Sequence, residues 1–416
     1  MLRSVFVDIS PLRDSRQFRL LFFGQVASRL GQQVTAVAAP IQVFAITGST
    51  LAVGFLGLVQ FPALLFGAFL GGALSDAFDR RRILLVGHVL LAATSAALAA
   101  NAMVDNPSVP IVYALTTLNA FFSALDSPAR SATVPRLVAT GQLPAAFALQ
   151  VLMFTTAGAA GPAVAGIVIA QSSLAAAYWL DAATFAVSIV ALLLMAPLPP
   201  QEGGTRPGFR SVVEGIRFMR TRPELQGVFI IDLTAMIFGM PRALFPEMGL
   251  STFGGDASTV GFLFAAPSIG AVAAAFLSGW VGRIRRAGVA TTVSVMAWGL
   301  GITAFGFTRH LVAALVFLAI AGGGDSISAV FRNTILQLTT PDRLRGRVSA
   351  VQIAVVAGGP RLGDAEAGLV AAGFGPQAAA WSGGIISAVG ALVVAQVLPG
   401  FRRWVAPPEA AAGDPG

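Results

Sequence analysis

The chain has 416 residues, of which 56% are hydrophobic and 11% charged, with a formal net charge of +8 and no cysteine. That balance leaves too little polar surface to cover a water-soluble domain, and it excludes disulfides, thiolate metal sites and cysteine nucleophiles. All 27 basic residues are Arg, which removes the phosphate-cradling lysine of an ATP-driven motor and all Schiff-base chemistry.

A bilayer asks for about 20 apolar residues per spanning helix, and segments of that length recur along the chain. They lack the period-two alternation of barrel strands, so they read as helices. Residues 1–16, MLRSVFVDISPLRDSR, carry Asp8, Asp14 and three Arg where a cleavable signal would need an unbroken apolar core, and they read as a cytoplasmic tail. Helices are expected near 17–46, 50–75, 82–104, 108–127, 146–170 and 174–196. A polar stretch at 197–224 follows, Pro/Gly-rich at its start and basic and amphipathic at 209–220. Six more helices are expected near 225–246, 257–281, 288–308, 311–332, 347–373 and 377–399, before a tail at 400–416. The expected fold is an all-α membrane protein: twelve transmembrane helices in two pseudo-symmetric six-helix bundles, 17–196 and 225–399, joined by a central loop.

Loop charge sets the orientation. Of the 27 Arg, 23 lie on one side, with Arg130, which follows the fourth helix, and Arg332, at the cytoplasmic end of the tenth, counted among them. The opposite connections hold only Arg309. The positive-inside rule then places both termini and the central loop in the cytoplasm. The basic loops meet anionic lipid headgroups rather than nucleic acid.

The halves share landmarks. Leu74-Ser75 and Leu277-Ser278 are 203 residues apart, Asp126 and Asp325 199, Arg130 and Arg332 202, and Pro135 and Pro341 206. Duplicated halves are the mark of a transporter whose substrate site lies between them near the midplane.

At 72–82 the chain reads GALSDAFDRRR, which resembles the loop signature of the major facilitator superfamily, in the form found in its drug:proton antiporter branch. Ala77 stands where an Arg is usual and Asp79 where a Gly is usual. The resemblance implies a conformational switch built from Gly72, Asp76, Asp79, Arg80 and Arg81, in which Asp76 caps a helix start near Gly346-Arg347 in one state and releases it in another. The plainer alternative is a solvated turn with basic anchors. In the fifth helix GAAGPAVAG, 158–166, resembles the antiporter signature. Gly158, Gly161, Pro162 and Gly166 would form a packing hinge, since small residues let helix backbones approach and proline bends a helix. The segments at 18–42, 242–247, 340–348 and 362–368 resemble enterobactin-exporter-type members, which implies export of a catecholate siderophore or a drug by proton antiport. Gln25, Asp232 and Glu366 depart from that subgroup.

A charge inside a bilayer costs at least ~2.5 kcal/mol, so each needs a partner or a water-filled cavity. The interior candidates are Arg29, Asp232, Asp325, Arg361 and Asp364, with Glu366 close behind. Arg361 and Asp364, at i and i+3, share a helix face and can pair. Asp232 or Asp364 is the leading candidate for the coupling proton, with Asp325, Glu366 and Arg361 as further members; the alternative is a static salt bridge holding helices 1, 7, 10 and 11 together. A second polar set, Gln25, Arg29, Gln32, Gln33, Gln60, Asn119 and Gln150, could meet substrate hydroxyls or amides, or simply bond helix to helix. Phe122, with Phe61, Phe121 and Trp179, could line a cavity or face lipid. Asp181 is expected to fix the sixth helix to a neighbour. His88 and His310 have no metal-ligand spacing, and no metal or cofactor is implied.

The leading reading is an inner-membrane exporter of a small organic molecule, working as a monomer by alternating access and proton antiport. A membrane-embedded enzyme, suggested superficially by the paired acids of DAFD at 76–79, and a non-transporting sensor are the rivals.

Overall fold

The computed structural model describes residues 8–199 and 209–406. The start of the N-terminal tail, the Pro/Gly-rich part of the central loop at 200–208 and the C-terminal tail from 407 lie outside them. Among the described residues are twelve long helices. The first six are α1 (Arg16–Thr47), α2 (Thr50–Ala77), α3 (Arg80–Met103), α4 (Val109–Leu137), α5 (Leu143–Gln171) and α6 (Leu174–Leu193). The others are α7 (Pro223–Phe238), α8 (Ala257–Phe276), α9 (Ala287–Phe307), α10 (Leu311–Thr339), α11 (Asp342–Phe374) and α12 (Pro376–Val397). Ten of these elements are long and apolar enough to cross a membrane. The two that fall short, α1 and α11, carry Arg29 with five Gln and Arg361 with Asp364 and Glu366.

Local chemistry explains the boundaries. Ser15 Oγ accepts from the Phe18 amide at 3.1 Å where α1 begins, Ser173 Oγ from Ala176 at 3.1 Å before α6, and Asp256 from Ser258 at 2.9 Å before α8, each satisfying a donor that the first turn leaves unpaired. Gly48, Gly254 and Gly375 take φ of 60°, 61° and 86° in the turns before α2, α8 and α12, where a side chain would be strained.

Several helices depart from expectation. Pro128 was a natural stop for the fourth helix, yet α4 runs through it and through Pro135 to Leu137, because a spanning helix bends at proline rather than ending in a medium with no water to take its backbone groups. Likewise α10 continues past Arg332 to Thr339, and α11 starts at Asp342 rather than 347. Arg130 and Arg332 are therefore not loop residues: both sit inside helices, each 6% exposed. The opposite correction applies to α7, which ends at Phe238. Pro241 and Pro246 each lack a backbone donor, and the chain continues through a 3-10 turn at Arg242–Leu244, a short turn at Phe245–Glu247 and a π-helical turn at Met248–Thr252. After α8 the chain passes into a 3-10 segment, Ser278–Arg283.

The chain divides into two compact units. The first takes in α1, α2 from Val59, α3 to α6 and the short segment Asp256–Gly261. The second takes in Gly48–Leu58, the chain from Pro207 to Gly255, and everything from Phe262 on. In the first unit α1 packs on α5 and α6, and α3 on α4 and α6. In the second, α7 packs on α11 and α12, and α9 on α10 and α12. The pairings are the same with each label raised by six, as a duplicated unit requires. The core of the first unit is Phe18, Leu21, Leu84, Ala129, Val134, Leu149 and Leu192, drawn from five helices. In the second, Phe229, Leu336, Val348 and Val351 pack with Phe218 and Met219 of the central-loop helix, Phe209–Met219.

Candidate functional site

The charges of the second unit converge on α7, α10 and α11. Asp232 on α7, 5% exposed, forms a close ion pair with Arg332 of α10. The same guanidinium reaches Asp325, two turns earlier on α10, at 3.2 Å. The two acids differ in setting: the Asp232 side chain is 7% exposed and that of Asp325 38%. Asp232 is thus sealed against its partner while Asp325 is covered on one side only. Such a buried pair offsets the desolvation of both ions only while both are present.

Arg361 and Asp364 share a face of α11 as expected, but the intrahelical ion pair does not close. Arg361 Nη1 donates instead to the Ala357 carbonyl at 3.1 Å. Asp364 accepts from the backbone amide of Ala243 in the broken end of α7, within the field of Arg242 and Arg361; its Oδ1 is buried without a hydrogen-bond partner. Arg242 is the residue that sequence reasoning missed. It also acts on Asp325, and its signal was present: a basic residue between Pro241 and Pro246, inside what reads as a continuous apolar span. Glu366 is half-buried two residues beyond Asp364. The segment 48–58 lies against this face of α11, where a Cβ added to Gly54 would stand 2.4 Å from the Asp364 carbonyl oxygen. Thr50, in the same segment, donates to Glu247 in a short hydrogen bond.

In the first unit Gln25 is 3% exposed, and Arg29 Nη1 donates to Gln32 Oε1 at 3.1 Å. The Arg29 guanidinium also sits 4.5 Å over the ring of Phe154 on α5, a cation–π contact. Gln25 Nε2, Arg29 Nε and Gln32 Nε2 are buried without protein partners, so this stretch of α1 has donors to offer. An apolar groove of about 170 Å³ adjoins it, formed by Phe22, Val26 and Leu30 with Leu152, Met153, Thr156 and Ala157. The other polar candidates scatter. Asn119 Nδ2 donates to Thr94 Oγ1 at 3.2 Å, tying α4 to α3; Gln60 and Gln150 are half-buried on α2 and α5. Phe122 meets Phe121 edge-on at 5.4 Å, and Phe121 stacks on Phe66 at 5.9 Å. Trp179 is half exposed. Asp126, noted only as a landmark, is fully buried in an ion pair with Arg130 one turn on, with His88 Nε2 at 3.6 Å.

In the 72–82 loop Asp79 caps α3 by accepting from the Arg82 amide at 3.2 Å, and it also accepts from the Leu198 amide at 2.9 Å. Arg80 Nη1 donates to the Ala132 carbonyl of α4 at 2.8 Å. Arg81 donates to the Leu192 and Leu193 carbonyls at 2.7 Å each, putting a cation on the negative end of α6. Asp76 is exposed at the last turn of α2. A Cβ on Gly72 would meet nothing within 4 Å, whereas one on Gly71 would stand 2.2 Å from the Leu125 carbonyl oxygen, so Gly71 is where α2 and α4 touch. In α5, a Cβ on Gly161 would strike Gln33 of α1 at 2.5 Å, and one on Gly166 would lie 2.6 Å from the Ala257 carbonyl oxygen. Pro162 and Gly166 thus pack backbone to backbone on residues 257–261 within the first unit. Gly158 is half-buried on the same helix.

The sequence model for the transmembrane secretion effector family matches residues 7–407. The enterobactin exporter EntS of Shigella boydii serotype 18 is 28% identical over 413 residues, 99% of each chain. EntS of Escherichia coli O1:K1 is 27% identical with the same coverage. Among solved structures, a POT family transporter in complex with 5-aminolevulinic acid matches with a TM-score of 0.74 at 12% identity, over 93% of this chain and 97% of that one. A bacterial homologue of the human lysosomal transporter Spinster matches at 0.69 and 15%, over 97% and 98%. At such identities the structures establish a shared transporter fold.

Proposed function

Because the chain belongs to the transmembrane secretion effector family, we propose that it is a secondary active transporter of the inner (plasma) membrane that exports a siderophore of the enterobactin type in antiport with protons. Alternating access moves the cargo, the chain works as a monomer, and both termini lie in the cytoplasm. The curated relatives that cover its full length support the cargo class. The charged cluster of the second unit carries the coupling.

Of the candidate acids, Asp232 is held in a sealed pair with Arg332, whereas Asp364 keeps Oδ1 without a partner and Asp325 is only partly covered. An acid that gains and loses a proton in each cycle needs an open coordination position and a nearby cation to replace the proton, and Asp364 has Arg242 and Arg361. Asp364 therefore takes the coupling role, Asp325 and Glu366 relay protons to it, and Asp232 with Arg332 joins α7 to α10. Gln25, Arg29 and Gln32 supply donors to the cargo's oxygens. Asp76 is the switch, and Asp79, Arg80 and Arg81 hold the loop around it.

The test is paired. Cells with and without the gene are compared for extracellular catecholate siderophore, and proteoliposomes are assayed for substrate-driven counterflow and proton release. The reading fails if counterflow of every catecholate is absent, or if Asp364→Asn exports with unchanged rate and pH dependence. A multidrug pump with no siderophore role is the second reading, favoured by the Phe66, Phe121 and Phe122 stack. Drug counterflow without catecholate counterflow selects it.

A further inference from the structure

The acids buried in the membrane-spanning helices are not all handled in the same way. Asp126 has Arg130 and Asp232 has Arg332. Asp181 on α6 is 0% exposed and, among the described residues, has no ion-pair partner. What surrounds it is neutral. Thr35 Oγ1 of α1 lies 2.5 Å from its Oδ2 and Ser95 Oγ of α3 lies 2.7 Å from the same atom. Its Oδ1 has no partner and faces Gly31 of α1, where an added Cβ would stand 2.4 Å away.

The charged and titratable groups of the three helices are engaged elsewhere. Arg29 on α1 is bonded to Gln32 and laid over Phe154. His88 on α3 faces Asp126. Tyr178, one turn before Asp181 on α6, gives its hydroxyl to Gln42 at 2.7 Å. An ionised carboxylate with two hydroxyls and no cation, withdrawn from water in a bilayer, is not a stable arrangement. A metal cation would need more oxygen ligands than one carboxylate and two hydroxyls provide.

We propose that Asp181 is a proton-binding site, occupied in this state, whose neutral acid ties α1 and α3 to α6. The proton resides on Oδ2: the acid donates it to one of the two hydroxyls, and the other hydroxyl donates to the same oxygen, which accounts for both short contacts. Oδ1 is then a neutral carbonyl oxygen, which burial tolerates without a partner far better than a charged one. The node sits on α1 one turn beyond Gln32, so losing the proton would place an uncompensated charge among three helices and free the helix that carries Gln25, Arg29 and Gln32. The assignment stands whether or not export is proton-coupled, and it concerns the first unit alone.

Infrared difference spectroscopy of the purified full-length protein, in ordinary and heavy water, reads the carboxylic-acid carbonyl stretch directly. A band that shifts in heavy water and is missing from Asp181→Asn is expected. Thr35→Val and Ser95→Ala, which delete one hydroxyl each, should move the same band in the wild-type acid without abolishing it. Should Asp181→Asn fail to fold, those two variants still decide the matter. The proposal is overturned if the acid region is identical in wild type and Asp181→Asn, or if neither hydroxyl variant moves any band.

Discussion

The Arg332 network makes a quantitative prediction because one guanidinium serves two acids in different surroundings. Replacing Arg332 with Met leaves Asp232, whose side chain is 7% exposed, buried and unpaired, a loss of about 3–5 kcal/mol. For a unit of this size that corresponds to a fall of roughly 6–20 °C in Tm. Asp325 contributes less to that loss: its side chain is 38% exposed, and a partly exposed ion pair is worth about 0–1 kcal/mol. Thus Arg332→Met should be severe, Asp325→Asn within ~1 kcal/mol of wild type, and Asp232→Asn intermediate, since Arg332 keeps Asp325. The decisive variant is the double one. Arg332→Met with Asp232→Asn removes the stranded charge and should recover most of the lost stability. Thermal unfolding of detergent-purified protein, followed by the fluorescence of its five Trp, measures all four. Additive losses in the double variant would refute the reasoning, because they would mean that Asp232 and Arg332 do not depend on each other.

Other outcomes follow from the remaining contacts. Asp364→Asn should abolish proton-driven export while leaving substrate exchange without a proton gradient intact in proteoliposomes; equal loss of both would assign Asp364 to packing. Gly166→Leu should inactivate export at normal expression, because its side chain meets the Ala257 carbonyl, whereas Gly72→Ala, with open space around it, should be silent in the same uptake-and-efflux assay. Arg81→Ala deletes two charge-assisted bonds to the end of α6 and should lower stability by about 1–3 kcal/mol, read as Tm. Arg29→Gln should raise the substrate concentration for half-maximal export, and loss of the cation–π contact with Phe154, worth about 0.5–2 kcal/mol, should lower Tm by roughly 1–8 °C.

The apolar spans, the loop charge and the landmarks about 200 residues apart made the twelve helices and their duplication legible, because bilayer thickness constrains all three. Four things were hidden. Pro128 reads as a stop in water but as a bend in a helix that has no solvent for its backbone, so α4 ended ten residues later and drew Arg130 in with it. Arg332 stood at the expected end of α10, which runs on to Thr339 and encloses it. Arg361 and Asp364 satisfied the spacing rule for a pair, but helical spacing does not reveal that the broken end of α7 brings Arg242 and the Ala243 amide to Asp364. The polar stripe of α1 was visible as Gln25, Arg29 and Gln32; that Phe154 covers the guanidinium was not, since nothing in sequence links residues 29 and 154.

The two buried arginines also bear on how the chain enters the membrane. Arg130 finds Asp126 within α4, one turn away, so that segment leaves the aqueous channel of the insertion machinery with its charge already neutralised. Arg332 takes its sealed partner from α7, made roughly a hundred residues earlier in the chain. A charge at a helix centre costs about 2.5–3.5 kcal/mol on insertion unless it is paired, and within α10 itself Asp325 reaches Arg332 at 3.2 Å, so α10 enters with a counterion of its own and gains the sealed one from α7. Duplication thus left one copy of this helix with its sealed counterion one turn away and gave the other a sealed counterion on a different helix.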